Sequence, residues 1–318
     1  MNRVALNRAA TTEEADKDGA ELRPAWTVDH PNAPNAGALG TPADHPNAAK
    51  ASALGTPAET PVSAGNGAAK RYGWLSRLRS YFIIDPQIWL YTIVLGSISV
   101  ACSLFDRSGR IQHNLARAWS WLIMKTILSP VTVLGNTGAV EAGGIARPRV
   151  FAVTHASALD IPILYVYLPF QFRIIFKSEL LYYPFIGWHL QRSGQVCINQ
   201  QNPTASIGAI KSALKSLRRG MPLVIFPEGG RTPDGQVQAF LPGAFFLAIK
   251  AQAEIVPVAL LGTFDLLPMN TYHIRCQPLE MRVGDVIPTA GLKMADMEAL
   301  SAKVKVAIET LHSAPRIT

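Results

Sequence analysis

The chain has 318 residues, 48% apolar and only 16% charged, with 30 Lys+Arg against 22 Asp+Glu for a formal charge of +8. That length fits one large domain or two ordinary ones, and the composition excludes a collagen, a disulfide scaffold and a wholly disordered chain. So few charges in so apolar a chain argue against a nucleic-acid partner and for work at an anionic membrane surface.

Residues 1–69 read as a disordered tail. They carry a tandem repeat, DHPNAPNAGALGTPA at 29–43 and DHPNAAKASALGTPA at 44–58, rich in Ala, Gly and Pro. Such a segment buries too little surface to offset its chain entropy, and two copies are too few for a stacked solenoid. His30 and His45 recur with the repeat and read as duplicated linker. No charged–apolar–small signal pattern opens the chain.

The stretch from Gln87 to Phe105 carries no charge at all. As a helix it reaches about 28 Å, just under the ~30 Å hydrocarbon thickness. Lys70, Arg71, Arg77 and Arg79 precede it and Arg107, Arg110, Arg117 and Lys125 follow. Basic flanks on both sides leave the positive-inside comparison tied, which fits a segment that dips into one leaflet and returns. Over 113–128, Arg117, Trp121 and Lys125 share one helix face, while Leu115, Ala118, Leu122, Ile123 and Ile127 populate the other. That pattern predicts an interfacial helix, although a core-packing helix has the same period. Residues 70–129 thus form a membrane-associated helical region.

From 130 to 318 the pattern is that of an α/β domain. Strands are predicted at 131–134, 149–154, 172–176, 223–226, 255–261 and 273–276, with helices at 204–217, 243–251 and 296–311. The alternation implies a mostly parallel sheet covered by helices. Cys102, Cys197 and Cys276 form no CxxC pair and read as buried thiols.

The candidate chemistry sits where strands end. His155 follows the strand at 149–154, and Asp160 comes five residues later. Positions i and i+5 of one helix point about 140° apart. The two side chains therefore meet only if His155 sits on the turn and Asp160 opens the helix 161–168. An Asp accepting from one ring nitrogen supports the other as a general base. Against this stands an ordinary N-cap role for an Asp before Ile161-Pro162. Ser157 lacks the small-residue surroundings of a nucleophile elbow. After the run Pro222–Ile225 comes Phe226-Pro227-Glu228-Gly229-Gly230-Arg231. It releases a carboxylate, two glycines and a guanidinium at a strand's carboxyl end, where open α/β sheets bind ligands.

HASALD (155–160) and FPEGGR (226–231) resemble the first and third signature blocks of the glycerolipid acyltransferases, whose best-known bacterial members are 1-acylglycerol-3-phosphate acyltransferases. The similarity continues through Lys177-Ser178-Glu179-Leu180, 184–188, 240–244 and 255–259, and covers about residues 80–310. It implies that His155, held by Asp160, deprotonates the free hydroxyl of a lysophospholipid. The hydroxyl oxygen then attacks an acyl thioester directly, without an acyl-enzyme. Arg231 and Lys177 would hold the acceptor's phosphate; Glu228, beside Gly229, would orient the acceptor or the turn. The donor would be acyl-CoA or acyl carrier protein, with no other cofactor and no metal. The place of work would be the cytoplasmic face of the cell membrane. Two positions depart from the family's pattern: Gln200 stands where its second block commonly has Arg, and Gly230 where Thr or Ser is usual.

Overall fold

The structure, a computed structural model, describes residues 73–317 apart from 107, 142–147, 201 and 203–205. The predicted tail at 1–69, with Lys70, Arg71 and Arg107, lies outside the described residues.

The apolar segment is helical, as its composition predicts, but the helix is longer. Helix α1 (Trp74–Arg79) passes through a π-turn at Ser80–Ile84 into α2 (Asp85–Cys102), which ends just before the predicted limit at Phe105. A short turn leads to α3 (Arg110–Ile127). The alternating pattern beyond then yields β1 (Val131–Gly135), α4 (Thr137–Glu141), β2 (Arg149–Val153), α5 (Asp160–Tyr167) and β3 (Arg173–Lys177). Next come α6 (Ile186–Arg192), β4 (Val196–Ile198), α7 (Ile207–Arg218), β5 (Leu223–Ile225), α8 (Gly243–Ala251) and β6 (Glu254–Leu261). Helix α9 (Thr263–Leu266), β7 (Leu279–Val283) and α10 (Met297–Ser313) complete the order.

The strands form one sheet in the order β1-β7-β6-β2-β5-β3-β4. The run β6-β2-β5-β3-β4 is parallel; β7 is antiparallel to β6, and β1 is parallel to β7. Alternate residues of β2 divide between the two faces, as the strand period requires. Phe151 and Val153 join a core with Ile163 of α5 and Ile123 and Ile127 of α3, whereas Val150 and Ala152 join Leu217 of α7, Phe245 of α8 and Val304 of α10. A mostly parallel sheet covered by helices on both faces is the architecture that the alternation implied.

Three expectations are corrected. No strand forms at 273–276; the strand of this region is β7, whose sequence LEMRV hides a strand behind two charges. Those charges are buried as a pair, with Arg282 Nε donating to Glu280 Oε2 at 2.8 Å. The three cysteines are free but half-buried rather than buried. Finally, α3 spends much of its apolar face on the core: Ala116, Ile123 and Ile127 are buried, Leu115 and Leu122 half-buried, and Ala118 exposed. A core-packing helix and an interfacial one share a period, and the presence of α5 as a neighbour decides the case. Trp121 and Lys125 remain outside, with the Lys125 ammonium 5.7 Å from the Trp121 ring centre.

His113 of α3 is buried between Tyr165 and Phe172, at ring-centre distances of 5.1 and 5.0 Å. Burial, helped by the charges of Arg117 and Arg173, lowers its pKa from 6.5 to about 4. A histidine kept neutral in the fold binds a proton only after unfolding. Stability is therefore full above pH 6.5 and falls as the pH drops towards 4. At pH 5 the loss is about 2 kcal/mol. Thermal unfolding in detergent should show Tm falling between pH 7 and pH 5, with a visibly flatter curve for His113→Phe. An unchanged slope in that variant would contradict the assignment.

Candidate active site

Strands β2 and β5 are hydrogen-bonded neighbours, with Ala152 opposite Ile225. The two motifs therefore leave the sheet side by side, although they lie far apart in the chain. His155 sits on the turn after β2, and Asp160 is the first residue of α5, as the spacing argument required. His155 Nδ1 lies 2.9 Å from Asp160 Oδ2. The same oxygen accepts from the backbone N–H of Ala156 at 2.8 Å and of Ser157 at 2.9 Å.

Those bonds decide between the two roles weighed for Asp160. An N-cap would accept from N–H groups further along its own helix. Asp160 instead turns back to the loop, fully buried, and its Oδ1 has no hydrogen-bond partner among the described residues. A buried carboxylate so placed favours a proton on the facing imidazole nitrogen. The His155 side chain is 18% exposed, so its other ring nitrogen is left for a ligand. Its ring stacks on Phe226 at 4.0 Å and 21°, which fixes the plane in which Nε2 points.

Glu228 belongs to the turn. Its Oε1 accepts from the His155 N–H at 2.8 Å and its Oε2 from the Gln238 N–H at 2.9 Å. Burial pushes its carboxyl up from the usual range, while these two N–H groups and the nearby histidine pull it back. The Thr232 N–H donates to the His155 carbonyl at 2.8 Å, so the loop after β2 is clasped from both sides by the loop after β5. Thr232 and Gln238 are joined through Asp234: Thr232 Oγ1 donates to Asp234 Oδ1 at 2.7 Å and Gln238 Nε2 to the same oxygen at 2.9 Å.

Gly229 takes φ of +72°, and a Cβ there would collide with the Leu241 side chain. The positive φ restricts the position to glycine, and a larger residue would also have to displace the tip of Leu241. Gln200, arriving from the end of β4, donates from Nε2 to the Gly229 carbonyl at 3.0 Å. The residue that replaces a family cation thus braces the turn. Lys177 ends β3, and its ammonium lies 3.5 Å from where a Cβ on Gly230 would stand. Arg231 precedes Thr232 in the same loop and makes no ion pair among the described residues. The ends of β2, β5, β3 and β4 thus bring His155, Glu228, Lys177 and Gln200 to one rim of the sheet.

Ser157 is fully buried and donates to the Leu267 carbonyl at 3.0 Å, which rules it out as an exposed nucleophile. Among the described residues no three His, Cys, Asp or Glu groups converge as metal ligands. Sequence reasoning missed Phe226 as the ring's platform, the Thr232–Asp234–Gln238 brace, and His312. That last residue shares a cavity of about 10 Å³ with His155, Glu228 and Thr232. Thr232-Pro233-Asp234-Gly235 carried a turn signal that would have found the brace. Nothing in the sequence relates His312, near the end of the chain, to the turn after β2.

Residues 132–261 match the family model described as Acyltransferase. Among similar proteins, a chloroplastic 1-acyl-sn-glycerol-3-phosphate acyltransferase of Arabidopsis thaliana is 29% identical over 63% of this chain and 56% of its own. The human 1-acyl-sn-glycerol-3-phosphate acyltransferase beta is 32% identical over 54% of this chain and 60% of its own. A 1-acyl-sn-glycerol-3-phosphate acyltransferase of Helicobacter pylori is 29% identical over 56% and 74%. The chain thus spans about half the length of the first curated relatives it matches. Its fold is shared with the crystal structure of the 1-acyl-sn-glycerophosphate acyltransferase from Thermotoga maritima, at a TM-score of 0.60 and 22% identity over 77% of this chain and 97% of that one. The resemblance read from the motifs thus coincides with the family match over residues 132–261.

Proposed function

From this likeness to the Acyltransferase family we propose that the chain transfers an acyl group from a thioester, acyl-CoA or acyl carrier protein, to the free hydroxyl of a lysophospholipid. The acceptor is 1-acylglycerol 3-phosphate and the product phosphatidate, in keeping with the names of the relatives. The observation that carries the reading is the 2.9 Å His155–Asp160 contact on a rim shared with Lys177 and Arg231.

The steps follow from that arrangement. Asp160 holds the proton on His155 Nδ1, leaving Nε2 to accept the acceptor's hydroxyl proton as the oxygen attacks the thioester carbonyl carbon. The carbon–sulfur bond then breaks, and the imidazolium returns its proton to the departing sulfur. Arg231 and Lys177 hold the acceptor's phosphate, for which a guanidinium fork and an ammonium are suited. Glu228 shapes the turn rather than touching substrate, because both its oxygens accept from backbone N–H groups, and Gln200 braces the same turn through its Nε2.

The apolar helix supplies the amphiphilic acceptor. Helix α2 is inside-out relative to a soluble helix. Its protein-facing side buries Thr92 and Ser99, whereas Trp89, Leu90, Ile93, Val94 and Ile98 face outward and exposed. Thr92 Oγ1 accepts from Trp119 Nε1 of α3 at 3.0 Å, and Ser99 Oγ lies 2.7 Å from His189 Nδ1 of α6. Gly96 lets α2 close on Phe185, whose Cβ is 2.9 Å from where a glycine Cβ would stand. An apolar outer face on a helix tied to the domain along its inner side fits insertion into one leaflet, with the domain on the cytoplasmic face of the cell membrane. Within residues 70–129, α2 carries the membrane-associated face and α3 joins it to the acyltransferase domain at 130–318.

A second reading keeps the reaction and changes the acceptor to another lysophospholipid or glycerol 3-phosphate. Gln200 favours it, since that side chain contributes no charge to the phosphate. The test is product identity: detergent-solubilised protein with labelled acyl-CoA or labelled acyl carrier protein thioester, offered lysophosphatidate, lysophosphatidylglycerol or glycerol 3-phosphate. Phosphatidate as the fastest-forming product is expected. A different fastest product would replace the acceptor, and no product from any acceptor with either donor would leave a phospholipid-binding role.

A further inference from the structure

We propose that the outward face of α7 is a docking surface for an acidic acyl carrier protein, which makes that protein the thioester donor of the reaction above. The proposal rests on that reaction and adds the partner and its place.

The sequence around α7 is unusual in charge. From 180 to 227 there is no Asp or Glu, while Arg192, Lys211, Lys215, Arg218 and Arg219 are all present. Helix α7 turns Ala213 and Leu217 into the core and leaves Lys211, Lys215 and Arg218 exposed, with Arg219 just beyond its end. These four cations and Leu214 form one open basic face along the helix. Among the described residues no carboxylate is paired with any of them; Arg218 donates only to the Lys250 carbonyl, at 3.3 Å. Like charges four apart destabilise a helix, so Lys211 and Lys215 are held together at a cost that an acidic partner removes.

Position separates this face from the lipid. Ile88 and Tyr91 of α2 pack on the core that takes Phe151 and Val153, whereas α7 packs on the core that takes Val150 and Ala152. Alternate residues of one strand point to opposite faces of a sheet. The basic face and the apolar helix therefore lie on opposite layers, and a bilayer that accepts α2 is not where α7 points. The anion that α7 meets arrives from water.

The spread of the cations favours a protein over a nucleotide. Residues 211 to 219 extend about 12 Å along the helix, the span of two turns on an acidic partner helix, and all four cations are exposed. Helix α7 also begins shortly after Gln200, which touches the Gly229 carbonyl, so its first turn lies at the site end of the sheet. Lys211 stands about 6 Å and Arg218 about 16 Å along α7 from its first residue, so a carrier seated on this flank reaches the rim by running its flexible thioester arm back along the helix.

The test is a charge reversal, Lys211→Glu/Lys215→Glu/Arg218→Glu, in the full chain, assayed with palmitoyl-acyl carrier protein and with palmitoyl-CoA on one acceptor. For the carrier, kcat/KM should fall about 10-fold or more, chiefly through KM, and the parent's rate should fall with added salt. With palmitoyl-CoA the variant should keep its rate within about 2-fold, which also shows that it folds. Equal losses with both donors would assign the face to the nucleotide or to general charge and overturn the proposal. So would an unchanged rate on the carrier, or reduced binding to anionic vesicles without discrimination between donors. A parent that uses palmitoyl-CoA alone leaves the reaction standing and removes the docking surface. A parent that uses neither donor defeats the reaction itself.

Discussion

His155→Ala is expected to lower kcat for acyl transfer by about 10²–10⁴, with the acceptor's KM little changed. The loss falls on kcat because the imidazole takes up its proton only as the hydroxyl attacks. The substitution leaves the fold in place: the bonds that tie this residue to Glu228 and Thr232 run through its backbone N–H and carbonyl. What disappears is the ring, with its stack on Phe226 and its contact with Asp160. His155→Gln serves as a second variant that refills the space without a base. Asp160→Asn should also be slow, because an amide in that position no longer favours a proton on Nδ1. Parent-like rates in both His155 variants, with parent-like melting, would contradict the role.

Arg231→Ala is expected to raise the acceptor's KM about 10- to 100-fold, the loss of a charge-assisted contact worth about 1.5–3 kcal/mol. Here the loss falls on binding, since the phosphate is held before and during transfer alike. Arg231→Lys should recover part of it, as a point charge without the planar fork. Lys177→Ala should add to the defect, because its ammonium stands over Gly230 in the same turn. Acceptor saturation in mixed micelles separates these outcomes. An unchanged KM with a reduced kcat would move Arg231 from the phosphate to the reacting centre.

Much of this was legible in the sequence because the pieces are local. The central strands are short apolar runs bounded by turns, and β2, β5 and β6 are found where those runs lie. Helix geometry allowed the His155–Asp160 contact only with His155 on the turn after the strand, and it was the resemblance of the two motifs that pointed to it. Other features depend on partners distant in sequence. Strand β7 reads as charged because Glu280 and Arg282 neutralise each other inside the fold. Helix α3 reads as interfacial until α5 covers its apolar face. Gln200 reads as a missing cation, and only the return of the chain from β5 shows that its amide meets the Gly229 carbonyl. Likewise Glu228 carried two expected roles, and the N–H groups of His155 and Gln238 favour the one that shapes the turn.

The most direct measurement follows the label of a radioactive acyl thioester, with and without lysophosphatidate, using protein in detergent. Direct transfer predicts label in phosphatidate when the acceptor is present, and none retained on the protein after denaturation in either case. Label bound to the protein in the absence of acceptor would show an acyl-enzyme and contradict the mechanism. Label released as free fatty acid at the same rate with or without acceptor would make the chain a thioester hydrolase.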